Sequence, residues 1–257
     1  MSKVELLIHG HIAHMRLNRP EKLNAIDQDM LDEMGEYVEQ LDADDQARVL
    51  VIRATGERAF CVGADILAWT SLAPLDMWRR WIRDGQRLFD RIAALRQPVI
   101  AVLNGFTLGG GLELALAADI RLAAAEIELG FPEVSIATVP GWGGTQRLPA
   151  LIGAGRAKQM IFSAERISAA TAEHWGLVNE VLPPDQLDSR ADELARQIAA
   201  NAPLAVQFAK QAMDGAHQGA AGSTLEALAG ALAAHTQDAQ EGLASFSQRR
   251  PPDFSGN

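Results

Sequence analysis

The sequence has little cysteine, few aromatic residues and a deficit of positive charge. Its 257 residues include one cysteine, Cys61, which excludes an intramolecular disulfide and a zinc site built from several thiolates. Lys and Arg number 23 against 33 Asp and Glu, so the formal net charge is −10. This balance disfavours non-specific binding to nucleic acid or to an anionic membrane surface. A few basic side chains or a helix N-terminus can still hold an anionic ligand.

Long apolar runs and a targeting signal are also missing. No uninterrupted apolar stretch reaches membrane-spanning length. The first residues include Lys3 and Glu5 among few apolar side chains, unlike a secretory signal. We therefore expect a cytoplasmic protein with no nucleic-acid partner and no membrane segment.

Apolar patterns predict an α/β body followed by helices. Predicted strands are Val4–Ile8, Ile12–Leu17, Arg48–Arg53, Val99–Leu103, Ile120–Leu122, Ile127–Leu129 and Val178–Leu182. Predicted helices follow an N-cap at Asp27, cover Leu75–Leu95, and fill Leu187–Phe246 with breaks near Asn201–Pro203 and Gly219–Gly222. The tail Arg249–Asn257 is expected to lie outside regular structure.

Common catalytic motifs are absent. There is no Gly-x-Ser-x-Gly nucleophile elbow, and the glycines lack the spacing that binds dinucleotides or nucleotide phosphates. His9, His11 and His14 form a cluster in which His9 and His11 are predicted to share a strand face. A metal site there would need a further ligand from elsewhere, so exposed hairpin histidines are the favoured interpretation.

The sequence does contain three consecutive glycines, Gly109–Gly111, shortly before a carboxylate at Glu113. If these glycines begin a helix, their N–H groups have no intrahelical partner and lie at the positive end of its dipole. A second N–H from the loop at Gly63 and Ala64 would complete a two-donor site for a developing negative oxygen. Close backbone packing of the glycines, or simple capping by Glu113, are the alternatives.

A second carboxylate, Glu133, also lies among apolar and glycine residues. It ends the stretch Leu129–Glu133 and precedes Pro140–Leu148, which reads Pro-Gly-Trp-Gly-Gly-Thr-Gln-Arg-Leu. Two glutamates facing one small cavity can exchange protons and position a water, and burial would raise their pKa values towards neutrality. Glu133 by itself could be a surface loop residue. Together with Glu113 and the glycine loops, it favours an active site.

Seven segments in order resemble the enoyl-CoA hydratase/isomerase family, also called the crotonase family. They are Leu17–Ala25, Ala59–Ile66, Gly105–Asp119, Pro132-Glu133, Pro140–Leu148, Ile167–Val178 and Glu241–Arg249. The resemblance implies an α/β fold in which residues 1–190 form a spiral of ββα units with a CoA-thioester site. Residues 191–257 would form a helical trimerisation region, giving a homotrimer or a homohexamer built as a dimer of trimers.

The resemblance also implies roles for individual residues. The backbone N–H groups of Ala64 and Gly110 would form the oxyanion hole for the thioester carbonyl. Glu133 would exchange the proton at Cα, while Glu113 would orient the attacking water at Cβ. No metal and no redox cofactor would be required, because coenzyme A enters as part of the acyl-CoA substrate. Further substrate contacts would come from Lys22, Leu23, Ala25, Gly63, Asp65, Ile66, Gly109, Trp142, Phe246 and Arg249.

Some of these matches carry a specific expectation. Lys22 lies in the segment that cups the adenine and phosphate end of coenzyme A, with backbone contributions from Leu23 and Ala25. Phe246 and Arg249 match tail positions that reach the nucleotide of a neighbouring subunit. Arg249 replaces a more usual Lys, which keeps the charge but alters its geometry.

The acyl pocket departs from the family pattern. Trp142 stands where many hydratases carry a small residue, and Phe131 replaces an often smaller or polar side chain. Both would crowd the acyl cavity and favour a short or particularly shaped acyl group, and Phe131 would also desolvate a carboxylate. Four further large residues, Trp69, Met77, Trp78 and Trp81, are expected to pack in a helical core instead of lining the pocket.

The predicted activity is hydration of a short or medium 2-enoyl-CoA in fatty-acid β-oxidation. Many isomerases of the family keep only the carboxylate matched by Glu133, so the presence of Glu113 favours a hydro-lyase. Δ3–Δ2 isomerisation, decarboxylation or hydrolysis of a CoA thioester are the alternatives, because members of a fold family can exchange chemistry. A non-catalytic RNA-binding role is a minor alternative that the acidic net charge disfavours.

Overall fold

The computed structural model describes residues 2–216 and 222–257 as two β-sheets with helices packed around them. The larger sheet has the strand order β1-β2-β3-β5-β7-β10 and contains Val4–His9, Ile12–Leu17, Val49–Ala54, Val99–Leu103, Ile120–Ala124 and Glu180–Leu182. The smaller sheet has the order β4-β6-β8-β9 and contains Ala59–Cys61, Phe106–Leu108, Glu128–Gly130 and Arg166–Ser168.

Most of the larger sheet is parallel. β1 and β2 form an antiparallel hairpin, and the remaining neighbours pair in parallel. A parallel pair needs a crossover connection, so helices cover the faces and the central strands are largely apolar. All five residues of β5 are buried. The seven strands predicted from the sequence are confirmed, two with unchanged boundaries and five with boundaries shifted by one or two residues.

The helices occupy the crossovers and the C-terminal third. They are α1 Gln28–Asp42, α2 Ile66–Trp69, α3 Pro74–Asp76, α4 Arg83–Ala93, α5 Gly110–Ala117, α6 Gly144–Ile152, α7 Ala154–Ser163, α8 Ala169–Trp175, α9 Pro184–Ala199, α10 Pro203–Ala216, α11 Gly222–Ala234 and α12 Gln237–Gln248. Asp27 is the N-cap of α1 as predicted, since its side chain accepts the N–H of Met30 at 3.1 Å.

The helix predicted over Leu75–Leu95 is confirmed as one continuous helical stretch over residues 74–93, but it is not α-helical throughout. The structure has the short α3, then a π-helical segment, Met77–Ile82, and then α4. A π-turn contains one more residue than an α-turn, so it rotates the following side chains relative to a regular helical pattern. Trp78 is consequently 56% exposed, whereas Trp81 is buried.

The short strands of the smaller sheet had little signal in the sequence. β4, β6 and β9 contain three residues each, too few for an alternating pattern to be recognised. The strands predicted from the sequence therefore do not include β4. It pairs with β6 in parallel, and this pairing places the segments that follow both strands side by side.

The prediction that His9 and His11 share one face of a strand is wrong. His11 lies in the hairpin turn, where its Nδ1 is 2.8 Å from the carbonyl oxygen of Gln46. His9 instead faces His14, with ring centroids 6.1 Å apart. The described residues contain no group of three His, Cys, Asp or Glu side chains that could hold a metal ion.

The C-terminal helices are anchored to the larger sheet. Lys210 of α10 is buried and pairs with Asp119 at 2.8 Å. The predicted boundary between residues 190 and 191 falls inside α9, which packs on β2, β3, β5 and β7, and the division into two regions stays a prediction. The predicted break near Gly219–Gly222 lies outside the described residues, apart from Gly222 at the start of α11.

The last residues are irregular, as expected, but bound. Asp238 accepts the N–H groups of Ser255 and Gly256 at 2.8 and 2.9 Å, and Arg48 donates to the carbonyl of Phe254 at 2.7 Å. Among the helices in the described ranges, none is long and apolar enough to cross a membrane.

Candidate active site

The glycine run joins β6 to α5 in a conformation that only glycine adopts readily. Gly109 is the N-cap of α5 with φ 51° and ψ −127°, a region that side chains disfavour. A Cβ atom added there would also lie 2.7 Å from Oε1 of Glu133. The positive φ and the close approach explain the glycine. The run does begin a helix, as the sequence predicted.

The N–H groups of Ala64 and Gly110 lie next to each other. A Cβ atom built on Gly63 would lie 3.2 Å from the nitrogen of Gly110, and one built on Gly110 would lie 3.5 Å from the nitrogen of Ala64. Gly110 is the first residue of α5, so its N–H has no partner within the helix. The two backbone nitrogens are therefore close enough for both amides to serve one negative oxygen.

A bridge to Ile26 fixes the loop that carries Ala64. Ile26 donates its N–H to the carbonyl of Gly63 at 2.8 Å and accepts from the N–H of Asp65 at 2.7 Å. These two bonds involve the carbonyl of Gly63 and the N–H of Asp65, which flank Ala64, and they leave the N–H of Ala64 available. Since backbone amides held at both sides cannot turn away, the donor is fixed before any ligand arrives.

Glu113 is the first of the two carboxylates and is 2% exposed. Its Oε1 accepts the N–H groups of Trp142 at 2.7 Å and Gly144 at 2.8 Å. Burial raises the pKa of Glu113, while these amides and the charge of Arg147 act in the opposite direction. The carboxylate is thus held at one oxygen by the loop between β8 and α6.

Glu133 is the second carboxylate and begins a 3₁₀ turn, Glu133–Ile136. Its Oε2 is buried and has no hydrogen-bond partner among the described residues. Burial raises the pKa of Glu133 to about 7, and the charge of Glu113 adds to the rise. A carboxyl group with such a pKa gains and loses a proton readily near neutral pH.

Both carboxylates and both amides line one cavity of about 170 Å³. Of the residues predicted to form the site, the structure brings these together: Gly63, Ala64, Ile66, Gly109, Gly110, Glu113, Glu133 and Trp142. The remaining wall is largely apolar and comes from residues that include Val62, Trp69, Met77, Trp81, Ile82, Ile136 and Val139. The cavity therefore places acid–base groups beside an apolar compartment, as expected for an acyl-group site.

The expectation for the four large residues is only partly confirmed. Trp81 is buried in the core, with Trp69 and Met77 packed against it, but all three also line the cavity. Trp78 neither packs in the core nor lines the cavity, since it is exposed.

Phe131 does not crowd the cavity, because it is fully buried outside the lining. That it desolvates a carboxylate stays a prediction, which the nearness of its ring to Glu113 supports. A Cβ atom on Gly144 would lie 2.9 Å from the Phe131 ring and 3.0 Å from Cγ of Glu113.

Trp142 is packed between two glycines. A Cβ atom on Gly85 would lie 2.2 Å from its Nε1, and one on Gly110 would lie 2.6 Å from its Cζ3. Its ring also contacts Trp81 and Phe89, each with centroids 5.4 Å apart. The indole N–H donates to the carbonyl of Trp81 at 3.3 Å. Trp142 therefore connects the π-helical segment, the glycine run and the loop that holds Glu113.

The predicted coenzyme A segment lies beside the Ala64 loop, outside the cavity lining. Lys22 is exposed, and Leu23 has φ 53° with its carbonyl accepting the N–H of Val62 at 3.2 Å. Ala25 is buried, and its carbonyl accepts a bond of 2.9 Å from Arg19. Contacts of this segment with coenzyme A remain a prediction.

Sequence reasoning missed the two residues that hold this segment in place. Arg19 pairs with Asp65 at 2.7 Å. Asn24 is fully buried and donates to the carbonyls of Thr55 and Ala59, each at 3.0 Å. The sequence offered one weak signal, since both belong to the Leu17–Ala25 segment that carries the family resemblance.

Phe246 and Arg249 do not join the site of their own chain. Phe246 is 87% exposed near the end of α12, and Arg249 is exposed with φ 54°. Neither lines the cavity. Their predicted contact with the nucleotide of a neighbouring subunit remains a prediction.

Comparison with known proteins decides the family. The family profile described as enoyl-CoA hydratase/isomerase matches residues 8–257. The chain belongs to the enoyl-CoA hydratase/isomerase family. A crystal structure of an enoyl-CoA hydratase from Bacillus anthracis is 38% identical and superimposes with a TM-score of 0.96, covering 99% of this chain and 100% of that one. The crotonase-type α/β fold expected from the sequence is therefore confirmed.

Two curated members of this family are similar over nearly their whole length. The short-chain-enoyl-CoA hydratase of Clostridium acetobutylicum is 38% identical, with 97% of this chain and 96% of that protein aligned. The crotonyl-CoA hydratase of Syntrophomonas wolfei is also 38% identical, with 95% and 94% aligned.

Proposed function

We propose that this chain is an enoyl-CoA hydratase, a hydro-lyase that adds water reversibly across the 2,3 double bond of a 2-enoyl-CoA thioester. The product is a 3-hydroxyacyl-CoA. One observation carries the proposal: Glu113, Glu133 and the N–H groups of Ala64 and Gly110 line the same cavity. The names of the two curated relatives support the same reaction.

The chemistry follows from this arrangement. The thioester oxygen accepts hydrogen bonds from Ala64 and Gly110, which stabilise the negative charge that develops there when the conjugated double bond is attacked. Glu113, fixed at Oε1, orients a water at Cβ. Glu133 delivers a proton to Cα and regains one from the water, whose oxygen bonds to Cβ. The net result is addition of a hydrogen to Cα and a hydroxyl group to Cβ, and both carboxyl groups return to their initial protonation states.

We propose a short acyl group as the preferred substrate. The cavity of about 170 Å³ is close to an engineered cavity of about 150 Å³ that holds benzene, a molecule of six carbons. The bulky side chains of Trp142 and Trp81 are part of the cavity lining. The reaction requires no metal or redox cofactor, because the backbone amides supply the electrophilic stabilisation.

Assembly and location are further proposals. Phe246 and Arg249 are exposed and lie outside the cavity lining of their own chain. This placement supports a trimer, or a dimer of trimers, in which they serve a neighbouring subunit. A cytoplasmic enzyme of fatty-acid β-oxidation is the setting that we propose. Light scattering after size-exclusion chromatography would distinguish three subunits from six.

The function is tested with a panel of 2-enoyl-CoA substrates from four to ten carbons. Hydration removes the absorbance of the conjugated thioester, and we expect the four-carbon substrate to react fastest. Glu113→Gln and Glu133→Gln should each lower kcat by about 10²–10⁴. Glu128→Gln, an exposed carboxylate on β8, is the control and should keep wild-type activity.

Two results would contradict the proposal. Wild-type protein that leaves crotonyl-CoA unchanged but converts a 3-enoyl-CoA, with a gain of absorbance, would be an isomerase. Rates that rise steadily from four to ten carbons would contradict the short acyl group.

A further inference from the structure

The loop that holds Glu113 is itself held by a guanidinium group. Arg147, on α6, donates through Nη1 to the carbonyl oxygen of Trp142 at 3.1 Å. The N–H of the same Trp142 residue donates to Oε1 of Glu113 at 2.7 Å. Trp142 is therefore bound at both of its backbone polar groups, with the carboxylate on one side and the guanidinium on the other.

Arg147 is fixed in turn by two features of its surroundings. Its Nη2 is hydrogen-bonded to Oδ1 of Asp90, on α4. Gly143 has φ +108°, and a Cβ atom there would lie 1.9 Å from Nη1 of Arg147. The loop thus wraps closely around the guanidinium, and only glycine leaves it room.

The same guanidinium acts electrostatically on the catalytic pair. The charged groups that act on Glu113 are Arg147, with Asp90 beyond it, and Glu133 across the cavity. Burial favours the neutral form of both glutamates, and each glutamate disfavours ionisation of the other. The charge of Arg147 acts against burial and lowers the pKa of Glu113. The guanidinium group of Arg147 also bonds to the loop that holds Glu113.

We propose that Arg147, braced by Asp90, is a positioning residue that fixes the orientation of Glu113 towards the attacking water through the backbone of Trp142. The inference rests on the proposed hydratase function. Two carboxyl groups in similar surroundings share their protons, and distinct roles need surroundings that separate them. The N–H groups that bond to Glu113 and the charge of Arg147 both contribute to that difference, and Arg147 also holds the loop that carries the Trp142 N–H. Glu113 then accepts a hydrogen bond from water while Glu133 carries the proton for Cα.

The test compares kcat against pH for crotonyl-CoA hydration in four variants. Arg147→Met should lower kcat by about tenfold or more, with a smaller change in KM. Its acidic limb should move to higher pH, because Glu113 then retains its proton longer. Arg147→Lys keeps the charge but not the paired hydrogen bonds, so its acidic limb should stay near the wild-type position while kcat remains reduced.

The other two variants are a test of the orientation of Arg147 without loss of its charge, and a control. Asp90→Asn removes the brace at an exposed residue and leaves the guanidinium, so kcat should fall without an upward shift of the acidic limb. Arg96→Met is the matched control. Arg96 also donates to backbone carbonyls and pairs with an aspartate, Asp45, but on the surface near α1.

A double-variant cycle shows whether Arg147 acts through Glu113. In a Glu113→Gln background, Arg147→Met should cost little further activity, because the group it positions has been removed. An unchanged acidic limb in Arg147→Met, or a full additional loss in the double variant, would overturn the inference. Wild-type protein without hydratase activity would instead refute the proposed function, and the two failures are therefore distinct.

Discussion

Gly85 lies in α4, far along the chain from both glutamates, yet we predict that Gly85→Ala impairs the enzyme. Glycine inside a helix is unfavourable, and alanine at an open position would stabilise the fold by about 1 kcal/mol. Gly85 is not open. A Cβ atom there would lie 2.2 Å from Nε1 of Trp142 and 2.5 Å from its Cδ1, so the indole must move.

The change in stability of Gly85→Ala is the balance between the cost of displacing the indole and the gain in helix propensity. Inserting a methyl group into a well-packed core costs about 1–3 kcal/mol, which outweighs the helix gain of about 1 kcal/mol. We expect a net destabilisation of up to about 2 kcal/mol. Because the displaced indole also contacts Gly110 and its backbone holds Glu113, kcat should fall by about tenfold or more.

Urea unfolding and hydration of crotonyl-CoA measure the two effects. Gly35→Ala is the control, since Gly35 lies in α1 and a Cβ atom there meets nothing within 4 Å. It should raise stability by about 1 kcal/mol and leave kcat unchanged. A Gly85→Ala variant that gains stability with wild-type kcat would refute the packing reasoning for Trp142.

Three further predictions concern other parts of the molecule. Trp142→Ala should raise kcat/KM for an eight-carbon substrate relative to a four-carbon one, and an unchanged ratio would show that the indole does not limit acyl length. The pKa of Glu133 is raised from 4.5 to about 7 on folding. The protonated carboxyl group therefore contributes on the order of 3 kcal/mol to the free energy of unfolding, fully below the unfolded pKa and no longer once the pH has risen through about 7. Glu133→Gln should flatten this pH dependence in urea titrations. Lys210→Met should cost about 3–5 kcal/mol, because it leaves Asp119 without its buried partner, whereas exposed Lys158→Met should cost almost nothing.

The sequence could predict the features that depend on neighbouring residues. Continuous apolar runs such as Val99–Leu103 indicated buried strands, and Asp27 indicated the start of α1. The glycines before Glu113 indicated exposed helix amides beside a carboxylate. These signals are local, because strand alternation, helix capping and the conformational freedom of glycine act over a few residues.

Prediction failed where a local pattern was too short or was altered by its surroundings. β4 contains three residues and had no readable period, and the π-helical segment Met77–Ile82 shifted the phase of a helix that looked regular. The sequence therefore predicted the core packing of Trp81 and Met77 but not their second role in the cavity wall. Which side chains of a helix face the interior depends on the surfaces that the helix packs against. The spacing of apolar residues in the sequence does not reveal a π-turn that changes this orientation.

The sequence by itself determined which groups are available for chemistry: two glutamates among apolar residues, glycines that expose backbone amides, and no clustered thiols. Only the tertiary structure decided what each group contacts. Gly85 meets the indole of Trp142, and Arg147 links α4 to the loop that holds Glu113. These partners come from different crossovers of a parallel sheet and approach one another only when the helices pack on it, so no local pattern encodes their contact.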